Sequence, residues 1–124
     1  MIYVGSYLTI KDNSGVKEVQ SIRIFDRSKK TPGELGSLML VSTKSCSAKQ
    51  KSNIKTGKLY KALLAQVKKN TKRKDGTTHS SGNNVAVLLN ANDSPICTRF
   101  FGPISYEIRS RGFIKLISTA KYLY

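Results

Sequence analysis

The sequence predicts a mainly β chain: a small five-stranded β-barrel with a projecting basic β-hairpin and one or two short C-terminal helices. Three observations carry that prediction. Five short apolar or alternating runs are separated by turn formers, helical periodicity is scarce before residue 103, and a lysine-rich run stands between two of the apolar stretches. The 124 residues suit a single domain, residues 1–124, with no internal repeat and no linker long enough to divide it.

Ile2, Val4, Leu8 and Ile10 fall on one side of a period-2 pattern, and Lys11 to Gly15 is a cluster of turn formers. Asp12 or Asn13 can close an Asx-type turn there, and Gly15 suits a positive φ. A second strand follows with Val19, Ile22 and Ile24 in its apolar content, and Arg23, between two inward isoleucines, points outward. Residues 28 to 33 form a basic loop carrying Lys29 and Lys30 and punctuated by Pro-Gly. Ser37 to Thr43 reads as the third strand. Lys44 to Lys58, polar and rich in lysine, reads as an exposed loop or short ribbon. Leu59 to Val67 is a fourth strand and Asn84 to Asn90 a fifth, nearly all apolar. Closing five such strands into a barrel removes their exposed edges. In the tail, Gly102-Pro103 is a helix start signal. Ile104, Glu107 and Ile108 sit at helical spacing, with Arg109 and Arg111 on the other side. Phe113 to Thr119 reads as a second helix or as a strand.

Between the fourth and fifth strands, Gln66 to His79 looks like a hairpin made of positive charge. Five of the seven residues from Lys68 to Lys74 are basic (Lys68, Lys69, Lys72, Arg73 and Lys74) and none is acidic. Such a run is either a solvated loop or a surface that something outside the chain neutralises. The rest of the composition favours the second reading. The formal charge is +15, from 22 Lys and Arg against 7 Asp and Glu, and it divides evenly, net +8 over residues 1–62 and +7 over 63–124. From Leu35 to Lys74 there are eleven bases and no acid, so local ion pairs cannot absorb the charge. A polyanion touching several faces balances it most simply.

Catalytic chemistry finds no constellation. His79 has no nucleophile at a recognisable spacing and reads as a solvated loop residue. Asp12, Asp75 and Asp93 fit turn closure better than acid–base work, and no phosphate-cradling glycine loop is present. Cys46 and Cys97, with one histidine, make no zinc site and read as reduced, buried side chains. No cofactor or metal is expected. No apolar run approaches the roughly 20 residues that span a bilayer, and no basic amphipathic helix suggests a membrane surface. The N-terminus has the character of neither a signal nor a transit peptide.

Binding chemistry fits better. Folded RNA is the favoured polyanion, since loop-borne cations and polar groups suit irregular backbones and no helix is a candidate for a DNA major groove. The expected RNA-binding residues are Lys11, Asn13 and Arg23 around the first turn, Lys29, Lys30 and Lys44, the five hairpin bases, and Arg99, Arg109 and Arg111 near the C-terminus. Phe100, Phe101 and Tyr106 offer rings for unpaired bases, though core filling is the expectation for most of them.

Three blocks then read together. They are Lys11-Asp-Asn-Ser-Gly-Val16 leading to Ile22-Arg-Ile24; Arg73-Lys-Asp-Gly76 followed by Asn83-Asn-Val-Ala-Val-Leu-Leu-Asn90; and Pro95 with Thr98-Arg-Phe-Phe-Gly-Pro103, Glu107-Ile-Arg109 and Phe113-Ile-Lys-Leu-Ile-Ser118. In that order and spacing the chain resembles the family of large-subunit ribosomal protein fourteen, from residue 2 to about residue 120. The resemblance implies a five-stranded barrel with a projecting hairpin and short C-terminal helices. It also implies a non-enzymatic structural role in the large ribosomal subunit. Its implied partners are large-subunit rRNA, large-subunit proteins three and nineteen, small-subunit rRNA across the interface, and a ribosome-silencing or anti-association factor. The chain departs from the family at Gly36-Ser37 and Thr56-Gly-Lys58, where an acid is usual, at Ser80-Ser81 and Cys97, and at its Lys121-Tyr-Leu-Tyr124 end. A free-standing RNA-binding regulator or chaperone on a similar barrel is the alternative. Length, Lys, Asn and Ser richness and the lack of a transit peptide favour a mitochondrial ribosome, with a plastid or a bacterial cytoplasm behind it.

Overall fold

The structure, a computed structural model, describes residues 2–25, 31–47 and 54–124; Lys29 and Lys30 lie outside them. Five strands close the barrel: β1 (Tyr7–Ile10), β2 (Val16–Ile24), β3 (Leu38–Cys46), β4 (Leu59–Gln66) and, beyond the hairpin strands β5 (Thr71–Lys72) and β6 (Thr78–His79), β7 (Val85–Leu89). Successive neighbours are antiparallel. The ring closes through a parallel β1–β7 pairing, Thr9 opposite Val85 and Ile10 opposite Ala86. The chain then runs through β8 (Phe100–Ile104), α1 (Glu107–Ser110), α2 (Ile114–Thr119) and β9 (Ala120–Leu123), which pairs in parallel with β8.

Two apolar cores follow from strand alternation. Side chains at i and i+2 share a face of a strand, so Ala62 and Leu64 on β4 and Ala86 and Leu88 on β7 fill the barrel with Leu8, Val19, Met39 and Val41. Leu63 and Ala65, with Val85, Val87 and Leu89, point the other way. They are equally buried, because Phe100, Ile104, Ile108 and Leu116 of the C-terminal segment cover them. This is why β7 is apolar at every position: both of its faces are packed. Each large side chain buried this way contributes about 1.5–3 kcal/mol, enough to hold helices of four and six residues that would not persist alone.

The barrel and the order of its strands match the sequence expectation, while several local features differ. Val4 is exposed, because the first strand is broken by a turn at Val4 and Gly5 (φ +90°); Ile2 is instead buried through a bridge to Gly33. Ile22 also faces solvent. A register shift between Ser21 and Arg23 puts two consecutive residues outside, so Ile24 returns to the core while both Ile22 and Arg23 are exposed. The third strand continues to Cys46, and Ile54, in the stretch read as a polar loop, is buried. Gly102-Pro103 lies inside β8 and does not start the helix. The β8–β9 pairing skips between Phe100 and Pro103, where proline has no N–H to give, and α1 begins only at Glu107. Residues 113–119 resolve as a helix from Ile114, and β9 had no counterpart in the sequence reading. Cys46 is half-buried and Cys97 buried, and no disulfide joins them.

Candidate nucleic-acid interface

The basic run is a hairpin fixed at its base. The ladder itself is two residue pairs, Thr71 with His79 and Lys72 with Thr78. At the tip, Arg73 N–H donates to the Thr77 carbonyl (2.8 Å), Gly76 takes a φ of +91°, and Asp75 Oδ1 accepts from Thr77 N–H (2.9 Å) and Thr77 Oγ1 (2.7 Å). The hydroxyl bond from Thr77 is the main reason the Asp75 carboxyl sits below its ordinary range. The one acid of the hairpin is thus committed to its own turn. At the root, Ser81 N–H donates to the Val67 carbonyl (3.0 Å) and Lys68 N–H to Asn84 Oδ1 (2.9 Å). Buried Gln66 joins three segments: its Oε1 accepts from Ser81 Oγ (3.0 Å) and its Nε2 donates to the Pro103 carbonyl.

A polar latch ties the hairpin to the C-terminal segment. Glu107 Oε1 accepts from Arg73 Nε at 2.7 Å, and Oε2 accepts from the hydroxyl of fully buried Ser105. His79 Nε2 lies 3.3 Å from Ser105 Oγ and 3.7 Å from Glu107 Oε2. Ser105 has one proton and gives it to Glu107, so Nε2 is the donor toward Ser105. The imidazole also meets the Tyr124 ring edge to face, with centroids 5.3 Å apart. Burial raises the Glu107 pKa, but the bonds from Ser105, its own backbone and Arg73, with the Arg73 charge, together hold the carboxyl below the ordinary glutamate range. Burial, and then the Glu107 charge, push the Tyr124 phenol up. His79 is therefore a half-buried joint between hairpin and tail, where the sequence suggested a solvated loop residue. Sequence reasoning missed Gln66, Ser81, Ser105, Glu107 and Tyr124 as a group. Their spacing carries no periodic signal: the hairpin root brings Ser81 to Gln66, and packing of the C-terminal segment brings Ser105, Glu107 and Tyr124 against His79.

The first turn is assembled with the loop before β8. Asp12 Oδ1 accepts from both Ser14 N–H (2.9 Å) and the Ser14 hydroxyl, closing the expected Asx turn, and Gly15 takes a φ of +90°. Asn13 reaches across the chain. Its Nδ2 donates to Thr98 Oγ1 (2.5 Å), and its Oδ1 accepts from the N–H groups of Thr98 (3.1 Å) and Arg99 (3.3 Å). Lys11 and Arg99 consequently share one patch, which an Asp12–Phe100 bridge holds to β8. The Asn13 side chain is what clamps it.

The remaining cations divide among faces. Lys68, Lys69, Lys72 and Lys74 are exposed along the hairpin, whereas Arg73 is half-buried in the latch. Arg109 is exposed on α1. Arg111 follows α1 and lies against Gly36, where an added Cβ would come within 2.6 Å of its Cδ. Lys69, Lys72 and Arg111 meet around an open groove of about 510 Å³ between the hairpin and α1, floored by Leu35 and Val67. Arg23 and Lys44 are exposed but stand apart, toward opposite ends of the β2–β3 ladder. Phe100 fills the core, yet Phe101 and Tyr106 are more than half exposed, against the expectation that most of these rings are core. They flank β8 and α1, whose inward positions Ile104 and Ile108 already occupy.

A five-stranded barrel, a projecting basic hairpin and short C-terminal helices are the parts the sequence blocks anticipated; the parallel β1–β7 closure and the latch are what the structure adds. The family model described as Ribosomal protein L14p/L23e matches residues 1–124, the whole chain. The chain belongs to that family. Membership in the L14p/L23e family makes it a non-enzymatic, structural protein of the large ribosomal subunit. Within an L14p/L23e protein the latch residues, which look at first like Ser, His and Glu gathered for catalysis, have a mechanical role. The carboxylate bonds to the serine, and His79 Nδ1 is buried with no partner, so no triad geometry exists.

Proposed function

We propose that this protein anchors large-subunit rRNA through its hairpin and first-turn patch, and that the Thr98–Arg111 segment meets small-subunit rRNA across the subunit interface. One observation carries the reading. The hairpin's lysines are exposed, while Asp75 and Glu107 are already bonded to Thr77, Ser105 and Arg73. Five bases crowded into seven residues outnumber those two acids, and a run of phosphates can neutralise them. Arg99 and Arg109, with the exposed rings of Phe101 and Tyr106, give the second surface both charge and stacking faces.

The family likeness extends the proposal to neighbours. Large-subunit proteins three and nineteen would cover part of the remaining surface, and a ribosome-silencing or anti-association factor would engage the subunit-facing side. Composition favours a mitochondrial ribosome. Two measurements test the core of the reading. The protein should co-sediment almost wholly with the large subunit; an independent pool would instead favour a free-standing regulator. Its affinity for rRNA fragments should fall with salt by roughly 0.7–0.9 log units per log unit of salt for each phosphate neutralised, and replacing Lys68, Lys72 and Lys74 with Ala should flatten that slope by about 2–3. A slope near zero in the unmodified protein refutes the electrostatic anchor.

A further inference from the structure

The groove between the hairpin and α1 is more than a charged surface, because it has an apolar floor. Leu35 and Val67 line its bottom, Lys69, Lys72 and Arg111 its rim, and Ser110, its hydroxyl bonded back to the Glu107 carbonyl (2.7 Å), borders it at the end of α1. Its volume of about 510 Å³ lies within the roughly 300–1,000 Å³ of small-ligand pockets, room for one nucleotide and far too little for a duplex. The walls are braced. Glu107 is held by Arg73 and Ser105, and Gly36 (φ +80°) leaves the space in which the Arg111 side chain lies.

We propose that this groove receives a single unpaired nucleotide extruded from the bound RNA, its base on the Leu35–Val67 floor and its phosphates against Lys69, Lys72 and Arg111. The proposal deepens the RNA-binding reading above and rests on it. Phosphate contacts alone would need no apolar floor, whereas the face of a base does. Among the described residues no aromatic ring lines the groove, and its aliphatic floor gives little stacking to compensate for pulling a base out of a helix. It therefore selects a nucleotide that is already bulged, for which unstacking costs least. The acidic side chains of Glu34 and Glu107 on the groove wall would repel a second phosphate, so the base and not a phosphate is turned to that side.

The test uses the full chain and three RNA stem-loops of equal phosphate count, measured by fluorescence anisotropy over a salt series. One is fully paired, one carries a single-nucleotide bulge, and one carries an abasic residue at the bulge. The bulged RNA should bind roughly tenfold more tightly than the paired one, and the abasic RNA should lose that advantage. Ser110→Trp, which fills the groove from an exposed position, should bring the bulged RNA down to the affinity of the paired one. Equal affinity for all three RNAs, or a bulge preference that survives the abasic change or Ser110→Trp, overturns the proposal. In those cases a steep salt slope would leave the anchor reading intact, while a flat slope would refute both.

Discussion

Replacing Glu107 with Ala removes the hub of the latch, and the structure sets the size of the effect. The variant loses the Arg73 Nε contact at 2.7 Å, the Ser105 bond and the Glu107–His79 approach at 3.7 Å. Arg73 and Glu107 are each about 30 % exposed (30 % and 29 %), so water screens their pairing and it belongs near the surface range of about 0.2–1 kcal/mol. The Ser105 bond is charge-assisted, and losing it leaves the proton of a buried hydroxyl without its carboxylate acceptor, for about 1.5–2 kcal/mol more. A total of about 2–3 kcal/mol corresponds to a fall in Tm of roughly 6–15 °C for a domain of this size. The pH dependence follows from the depressed Glu107 pKa. Its stabilisation is complete above the ordinary glutamate pKa of about 4.3 and is lost as pH falls through the lower folded-state value. Melting curves followed by circular dichroism near pH 7 and near pH 3 should therefore show a large gap between the two proteins that narrows in acid. Hydrogen exchange should quicken at residues 71–79 and stay unchanged in β3 and β4. A Tm within about 2 °C of the parent near neutral pH, or a gap undiminished in acid, refutes the latch.

Other substitutions probe the parts the latch depends on. Asn13→Ala should cost about 1–2 kcal/mol in urea denaturation and release the Thr98 and Arg99 amides to exchange, while Asn13→Asp, which keeps the acceptor, should lose less; unchanged protection at those amides would show that the clamp is idle. Ile108→Ala opens a cavity at a fully buried position under α1 and should cost about 2–5 kcal/mol; a loss below about 1 kcal/mol would mean that the C-terminal segment is not what seals β4 and β7.

What the sequence made legible was whatever repeats with a strand's period. The apolar runs Leu59 to Val67 and Asn84 to Asn90 marked β4 and β7, and their continuity was the trace of two packed faces. The misread positions are those where periodicity breaks. At Ser21 to Arg23 a one-residue shift turns Ile22 outward, and at Val4 and Gly5 a turn interrupts an otherwise regular alternation. β9 was illegible for a different reason: Ala120 to Leu123 is largely exposed and is a strand only because β8 lies beside it. The charged residues of the candidate interface were visible by type, but their division of labour was not. Nothing in Lys-Arg-Lys distinguishes Arg73, bound to Glu107, from its exposed neighbours Lys72 and Lys74 until residue 107 is placed against residue 73.

That division explains why the hairpin needs the tail. A ladder of two residue pairs is marginal alone, and five bases within seven residues oppose it further. One of those bases is spent internally: Arg73 gives its Nε to Glu107 and so fastens the strand that carries the other four. His79, on the opposite strand, fastens to Ser105 and packs on Tyr124, so both strands of the hairpin are held to the same short stretch of chain. The lysines on either side of Arg73 are then presented on a frame whose orientation is set before any phosphate arrives. Ordering that frame in advance removes an entropic cost that a flexible basic loop would meet on binding, so the gain in affinity comes from the one hairpin base that is turned inward.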